Sequence, residues 1–370
     1  FHARYRDINQ GVSTRLTFAC RFCQTPQNNR GLNVSSKKQN TIVFGLVVFA
    51  LAGSLAADPQ PYLGRWALFL PNGAGWLEVR QEEGYLDADI LWYGGSVVPV
   101  DNVYLDKEQL IVTRNRPVVR RKEEAGKPGR TQIITTRLEL RVQGDQMTGK
   151  AFEPKRSGDG VTVTEFTGKR IPPLPARPDL SKLKFGEPIT LFNGKDLSGW
   201  KLTNPQQANG WAAKDGVLVN NPVQQEGKPR VSFGNLRTER TFEDFNLKLE
   251  VNVPKGSNSG VYLRGIYEIQ VADSYGRPLD SHNMGAVYSR ITPTVAAEKP
   301  AGEWQSLDMT LVDRHITVVL NGKKIIDNQP VLGVTGGALT ADEFSPGPIY
   351  LQGDHGPVSY RNIVLRPIVK

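Results

Sequence analysis

From Asp244 to Val253 the chain alternates apolar and polar residues without a break. Phe245, Leu247, Leu249, Val251 and Val253 fall on one side, and Asn246, Lys248, Glu250 and Asn252 on the other. Successive side chains of an extended chain point to opposite faces, so this pattern predicts a strand with one buried and one wet face. Arg137 to Val142 alternates in the same way. Ser306 to Val312 and His315 to Leu320 read as strands joined at Asp313-Arg314, and Asn321-Gly322 is a tight-turn pair leading into Lys323 to Asp327. In the first half, Gly64 to Leu70, Trp76 to Arg80, Leu86 to Tyr93, Gln109 to Arg114, Gln132 to Val142 and Val161 to Thr167 are strand-like, with Gly, Pro, Asn and Asp at the breaks. No long helical period interrupts the series. The expected fold class is all-β: a small antiparallel barrel or sandwich over residues 58–171, then two stacked sheets over residues 189–370.

Ile171 to Pro178 carries four prolines in eight residues. Neither a helix nor a central strand runs through such a stretch, so residues 172–188 are expected to be a stiff linker between two domains. Lys37-Lys38, an apolar run from Thr41 to Leu55 and the small residues Ala56-Ala57 have the order of a secretory signal. The run is short for a membrane span. Residues 1–57 are therefore expected to be a leader, with the signal at about 37–57 and residues 1–36 an over-extended gene start. The mature protein is expected to be exported, periplasmic or extracellular, with no stable membrane span.

The net charge of +9 raises nucleic-acid binding as a possibility. Its location removes it: Arg4, Arg6, Arg15, Arg21, Arg30, Lys37 and Lys38 stand against Asp7 alone within the leader, and the remainder is close to balanced. No basic stripe survives, and no nucleic-acid partner is expected. Cys20 and Cys23 also lie in the leader, without the second ligand pair that a zinc site of this spacing needs.

Candidate chemistry concentrates in Gly256 to Asp273. Tyr262, Arg264, Glu268 and Gln270 fall in line on one face, opposite Val261, Leu263, Tyr267, Ile269 and Val271. An aromatic ring, a guanidinium, a carboxylate and an amide on one face suit a sugar: rings for its apolar side, planar donors and acceptors for its hydroxyls. A structural ion pair on an exposed sheet gives the same pattern. A second cluster, Gly347 to Gly356, turns Tyr350 and Gln352 outward and carries His355 at the strand end between two glycines, Gly353 and Gly356. His282 sits in a loop and His315 starts a strand, where a structural role is expected. No nucleophile elbow, His-Glu-x-x-His or phosphate loop is present. Nor is an obvious carboxylate pair for ordinary glycoside hydrolysis, although Asp273 and Glu303 are candidate partners of Glu268.

Four motifs make the chain recognisable. Leu191-Phe192-Asn193-Gly194-Lys195-Asp196-Leu197-Ser198-Gly199-Trp200, the Ser257 to Gln270 segment, Gly302-Glu303-Trp304-Gln305 and Gly347 to Gly356 resemble, in order and spacing, the 3-keto-disaccharide hydrolase family. The resemblance covers residues 189–370 and nothing before Pro188. It implies a concanavalin-A-like jelly roll acting on glycosides oxidised to a ketone at sugar C3. One base then removes the acidified C2 proton, the glycosidic group is eliminated, and water adds. On that basis Glu268, His355 and Arg264 are the catalytic candidates. Tyr262, Gln270, Asp273, His282, Tyr288, Trp304 and Gln352 are the substrate-binding candidates. A divalent metal ion is a cofactor that the resemblance allows, with no ligand spacing here to mark its site. The rival expectation is a non-catalytic, lectin-like glycan-binding module, since the fold serves both.

Overall fold

The structure, a computed structural model, describes residues 58–124 and 126–369. The expected leader and both cysteines lie outside the described residues. The described residues fall in one compact unit. Among the described residues there is no α-helix, and none is long and apolar enough to cross a membrane.

The first half is one nine-stranded antiparallel sheet. Gly64–Leu70 and Val161–Arg170, the first and last strands, lie side by side in its middle. The two ends of the sheet meet across a few residues. Val100 N donates to Ala88 O and Asp101 N to Thr113 O, so the chain passes from the Tyr85–Trp92 strand directly to the Gln109–Arg121 strand. Joining both edges to one short segment in this way curls the sheet into a barrel. Trp66, Leu68, Leu77, Ile90, Leu110 and Leu138 fill the inside.

One outer patch of the barrel departs from the inside-apolar, outside-polar rule. Ala67, Ala74, Trp76 and Leu91 are buried in the same apolar cluster as the second half of the chain. Trp76 is the largest of them, 3% exposed. The Arg290 guanidinium lies 4.1 Å from its ring centroid while Arg290 Nη2 donates to Val334 O at 2.7 Å. Burial lowers the Arg290 pKa to about 10, so the group remains a cation at neutral pH and holds the ring face. The proline-rich stretch is strapped down along the second half. Arg314 Nη2 donates to Pro173 O at 2.9 Å and Asn328 Nδ2 to Pro178 O at 2.8 Å. Proline lacks an N–H but keeps its carbonyl, which is the group these side chains use.

The second half forms two antiparallel sheets. Phe245–Asn252 lies between Val358–Val369 and Trp304–Val312 in a nine-stranded sheet. Trp200–Leu202, Leu236–Thr238, Tyr350–Leu351, Asn258–Leu263 and Tyr267–Ala272 form the other, in that order. Phe245, Leu247, Leu249 and Val251 of the first join Val261, Leu263, Ile269 and Val271 of the second in one core. This is the jelly-roll sandwich, the inner faces of two sheets packed together. Its five-stranded sheet keeps a second face, turned away from that core, and the barrel reaches the rim of this face.

Replacing Trp76 by alanine should destabilise the protein by about 3 kcal/mol or more, because a buried indole is lost and the Arg290 cation loses its partner. Urea unfolding would measure it; a loss under about 1 kcal/mol would mean that the barrel does not depend on this contact.

Candidate functional site

The hairpin that builds the site pairs Tyr262 with Glu268 and Gly260 with Gln270. Tyr262, Glu268 and Gln270 therefore share the face turned away from the core, as their period-two spacing predicts. A Cβ at Gly260 would collide with the Glu268 carboxyl, so the absence of a side chain there is what lets Glu268 lie across the sheet.

Arg264 does not join them. The strands are connected through Arg264-Gly265-Ile266, with Arg264 at φ 56° and Gly265 at φ 69°. This left-handed turn carries Arg264 off the strand face. Its Nη2 donates to Glu343 O at 2.7 Å and Ser345 O at 2.6 Å, beneath another loop. The expectation that Arg264 stands in line with Glu268 is corrected by the turn, which ends the alternation one residue earlier.

Over this face lies a pocket of about 310 Å³. Its floor is Tyr262, Glu268 and Gln270, its sides are Asn258, Tyr288, Tyr350 and Gln352, and its rim carries Asp354 and His355. Tyr262 and Tyr350 stack at 4.2 Å between centroids and 15° between planes. Asn235 Nδ2 donates to the Tyr350 hydroxyl at 2.8 Å, and Asn235 Oδ1 accepts from Gly353 N at 2.7 Å. One amide thus fixes both the second ring and the entry to the Asp354-His355 corner. Gln270 Oε1 accepts from Val271 N at 3.1 Å, which leaves its NH₂ as the group free to donate.

Two proton-handling units face this space. Glu268 is 3% exposed, and burial raises its pKa to about 8, against the opposing pull of the Tyr262 hydrogen bond and the nearby His355 charge. At neutral pH it is mainly a neutral acid. The Tyr262 hydroxyl lies 2.9 Å from Glu268 Oε2 and 2.7 Å from Gly336 O. A phenol has one proton, so it serves one of these at a time. With Glu268 ionised, Tyr262 donates to the carboxylate. With Glu268 protonated, the carboxyl donates to Tyr262 and Tyr262 donates to Gly336 O. Both protonation states are hydrogen-bonded, which suits a group that gives up and regains a proton.

The second unit is the His355 ring, half-buried, with Nδ1 at 2.7 Å from Asp354 Oδ1. The hydrogen bond to Asp354 raises the His355 pKa, burial opposes it, and the charges of Asp354 and Glu268 add to the rise. Asp354 itself is lowered: burial alone would raise it, and the His355 hydrogen bond and charge outweigh that. With Nδ1–H directed to Asp354, Nε2 is the nitrogen available as a base.

The structure brings together Tyr262, Glu268, Gln270, Tyr288, Gln352 and His355. Besides Arg264, it leaves four candidates elsewhere. Asp273 accepts from Gly256 N at 2.9 Å, closing a turn. His282 is exposed, bound to Asp280 through Nδ1, and stands edge-on to Tyr288 from outside. Trp304 belongs to the other sheet and lies under the Arg361 guanidinium at 4.0 Å. Glu303 is exposed near it. Asn235, Asn258, Asp354, Gly94, Gly95, Gly336 and Gly337 also line or fix the pocket without having been singled out in the sequence. For Asp354, its position beside His355 was the available signal. The Asn193 to Trp200 motif is structural: Asn193 Oδ1 accepts from Lys195 N at 2.8 Å, Asp196 Oδ1 from Ser198 N at 2.9 Å, and Trp200 Nε1 donates to Leu191 O at 2.6 Å. Among the described residues, no three His, Cys, Asp or Glu side chains are grouped to hold a metal ion. One buried acid and one Asp–His pair do not make a fitting donor set for a divalent cation.

Residues 187–366 match the model of the 3-keto-alpha-glucoside-1,2-lyase-like domain family. A curated 3-keto-disaccharide hydrolase of Bacteroides thetaiotaomicron is 25% identical over 166 residues, covering 38% of this chain and 57% of its own. The chain thus spans a little over half of that relative. Two solved structures of candidate glycosyl hydrolases from Parabacteroides distasonis are similar at 29% and 27% identity. They cover 52% and 49% of this chain and 92% and 100% of their own, with TM-scores of 0.41 and 0.37.

Replacing Tyr262 by phenylalanine removes the donor that favours the Glu268 carboxylate. The Glu268 pKa should rise further above about 8. An infrared titration of the protonated carboxyl band would show it; an unchanged or lowered midpoint would mean the Tyr262 contact does not support the anion.

Proposed function

Because residues 187–366 belong to the 3-keto-alpha-glucoside-1,2-lyase-like domain family, we propose that this chain cleaves glycosides carrying a ketone at sugar C3, by elimination across C1–C2 followed by hydration. The observation that carries this reading is the pairing of two unlike proton carriers in one pocket, Glu268 held neutral and His355 backed by Asp354. Elimination needs a base for the C2 proton and an acid for the leaving oxygen, and a carboxyl kept protonated by burial beside an aspartate-oriented imidazole can divide those roles.

In the proposed sequence His355 Nε2 takes the C2 proton, and its electrons form the C2–C3 enolate. The Gln270 NH₂ donates to the enolate oxygen. The enolate collapses to a C1–C2 double bond, restores the ketone and expels the C1 oxygen substituent, which takes the Glu268 proton. Water then adds: its hydroxide goes to C1, its proton to Glu268, and His355, half-exposed and exchanging its proton with solvent, protonates C2. The balance is one glycoside and one water giving a 3-keto sugar and an alcohol. The stacked Tyr262 and Tyr350 stay protonated, since burial pushes both phenols up, and supply a flat wall rather than charge. With the export signal expected at about residues 37–57, the proposed action lies outside the cytoplasm.

Activity of this kind has a bell-shaped pH dependence. It rises as His355 loses its proton, at a pH above that of an ordinary histidine, and falls as Glu268 ionises near pH 8. Glu268→Gln should lower kcat on a 3-keto-glucoside by about 10²- to 10⁴-fold and abolish the alkaline fall, with the fold intact by circular dichroism. A pH–rate profile of wild type and variant checks both. Full activity in the variant removes Glu268 from the reaction. Sugar binding without turnover in the wild type favours the lectin-like alternative. A wild-type rate that climbs through pH 8 makes Glu268 the base instead.

A further inference from the structure

The pocket is completed by residues from outside the family match. Gly94 and Gly95, at the end of a barrel strand, form part of its lining, whereas the match begins at residue 187. Their loop is fastened to the sandwich at three points: Gly337 N donates to Tyr93 O at 3.0 Å, Val97 N to Ser289 Oγ at 2.9 Å, and Ser96 Oγ lies 2.8 Å from His282 Nε2. A Cβ at Gly336 would collide with the Gly95 backbone, so the two glycine pairs meet at a distance that only glycine permits. His282, held by Ser96, stands 4.8 Å edge-on to Tyr288, which lines the pocket. The barrel therefore supplies one wall directly and steadies another through His282.

We infer that the 93–97 loop of the barrel is a specificity element, against whose bare Gly94-Gly95 backbone the second sugar of a 3-keto-disaccharide lies. This rests on the proposed cleavage of 3-keto-glycosides. At about 310 Å³ the pocket is at the small end of ligand sites, roughly 300–1,000 Å³, and leaves little room for a second ring. What extends beyond the reacting ring must pass over the rim, and this loop forms part of that rim. Gly94 N is spent on Trp92 O at 3.0 Å, but both glycines are exposed, so the Gly94 carbonyl and the Gly95 peptide face sugar hydroxyls with no bulk to exclude them.

Gly94 is the position to alter. It lacks the left-handed backbone of Gly95, and a Cβ built there meets nothing within 4 Å, so a side chain is tolerated and projects from the wall. Gly94→Phe should raise KM for 3-keto-trehalose by about tenfold more than it raises KM for methyl 3-keto-α-glucoside. The thermal midpoint reports the fold. If Gly94→Phe does not fold, Gly94→Ser should show the same selectivity on a smaller scale, about twofold. Equal effects on both substrates, or none, overturn the inference. If the wild type cleaves neither sugar, the functional reading fails and the wall is judged by calorimetric binding of the same two compounds. Selective loss of the disaccharide in the variant supports the inference; unchanged binding, or no binding of either by the wild type, overturns it.

Discussion

The site depends on keeping one carboxyl out of water. Glu268 is buried where its charged form is costly, yet it has a hydrogen-bond partner in either protonation state because Tyr262 can turn between it and Gly336 O. Burial without the phenol would strand a polar group; the phenol without burial would leave an ordinary ionised glutamate. The neighbouring strand cooperates by omitting a side chain at Gly260, and the second sheet fixes the hairpin from below through Val261, Ile269 and Val271. His355 needs less of the fold. One adjacent aspartate orients it, and Asn235 pins the corner from which both project.

The burial is shared between two parts of the chain. The barrel turns an apolar patch outward, Trp76 at its centre, and packs it into the core cluster of the sandwich. Arg290 bridges that contact and the segment that carries Gly333 to Gly337, since it donates to Val334 O while covering the indole. The same segment supplies Gly336 to Tyr262 and Thr335 Oγ1 to the Glu268 N–H at 2.9 Å. A chain of contacts thus runs from the barrel surface to the buried acid. It is a structural continuity, and it explains why a module without clustered reactive side chains can still matter to the pocket.

Much of this was legible in the residue pattern. Strict alternation in Phe245 to Val253 has one solution, and the face shared by Tyr262, Glu268 and Gln270 followed from period two because the hairpin loop has three residues and preserves the parity. Arg264 was misread because alternation says nothing about where a strand stops; a left-handed turn at a non-glycine residue leaves little trace in composition. Trp304 and Asp273 were plausible by chemistry alone; the sheet order separates Trp304 from the pocket, and the turn closed onto Gly256 holds Asp273 away from it. Gly94, Gly95, Gly336 and Gly337 contribute by lacking side chains, so no search for reactive groups could find them. The outward Trp76 looked like an ordinary strand residue; that its face is covered is a property of the partner surface.

The central claim is that bond cleavage begins with removal of the C2 proton. Reaction of a 3-keto-glycoside in D₂O, with an enzyme-free control for spontaneous exchange, tests it most directly. The account predicts a released 3-keto sugar carrying deuterium at C2, because the proton returned there has passed through His355 and exchanged with solvent. A product that keeps its original C2 hydrogen, with solvent oxygen only at C1, would show direct hydrolysis and contradict it.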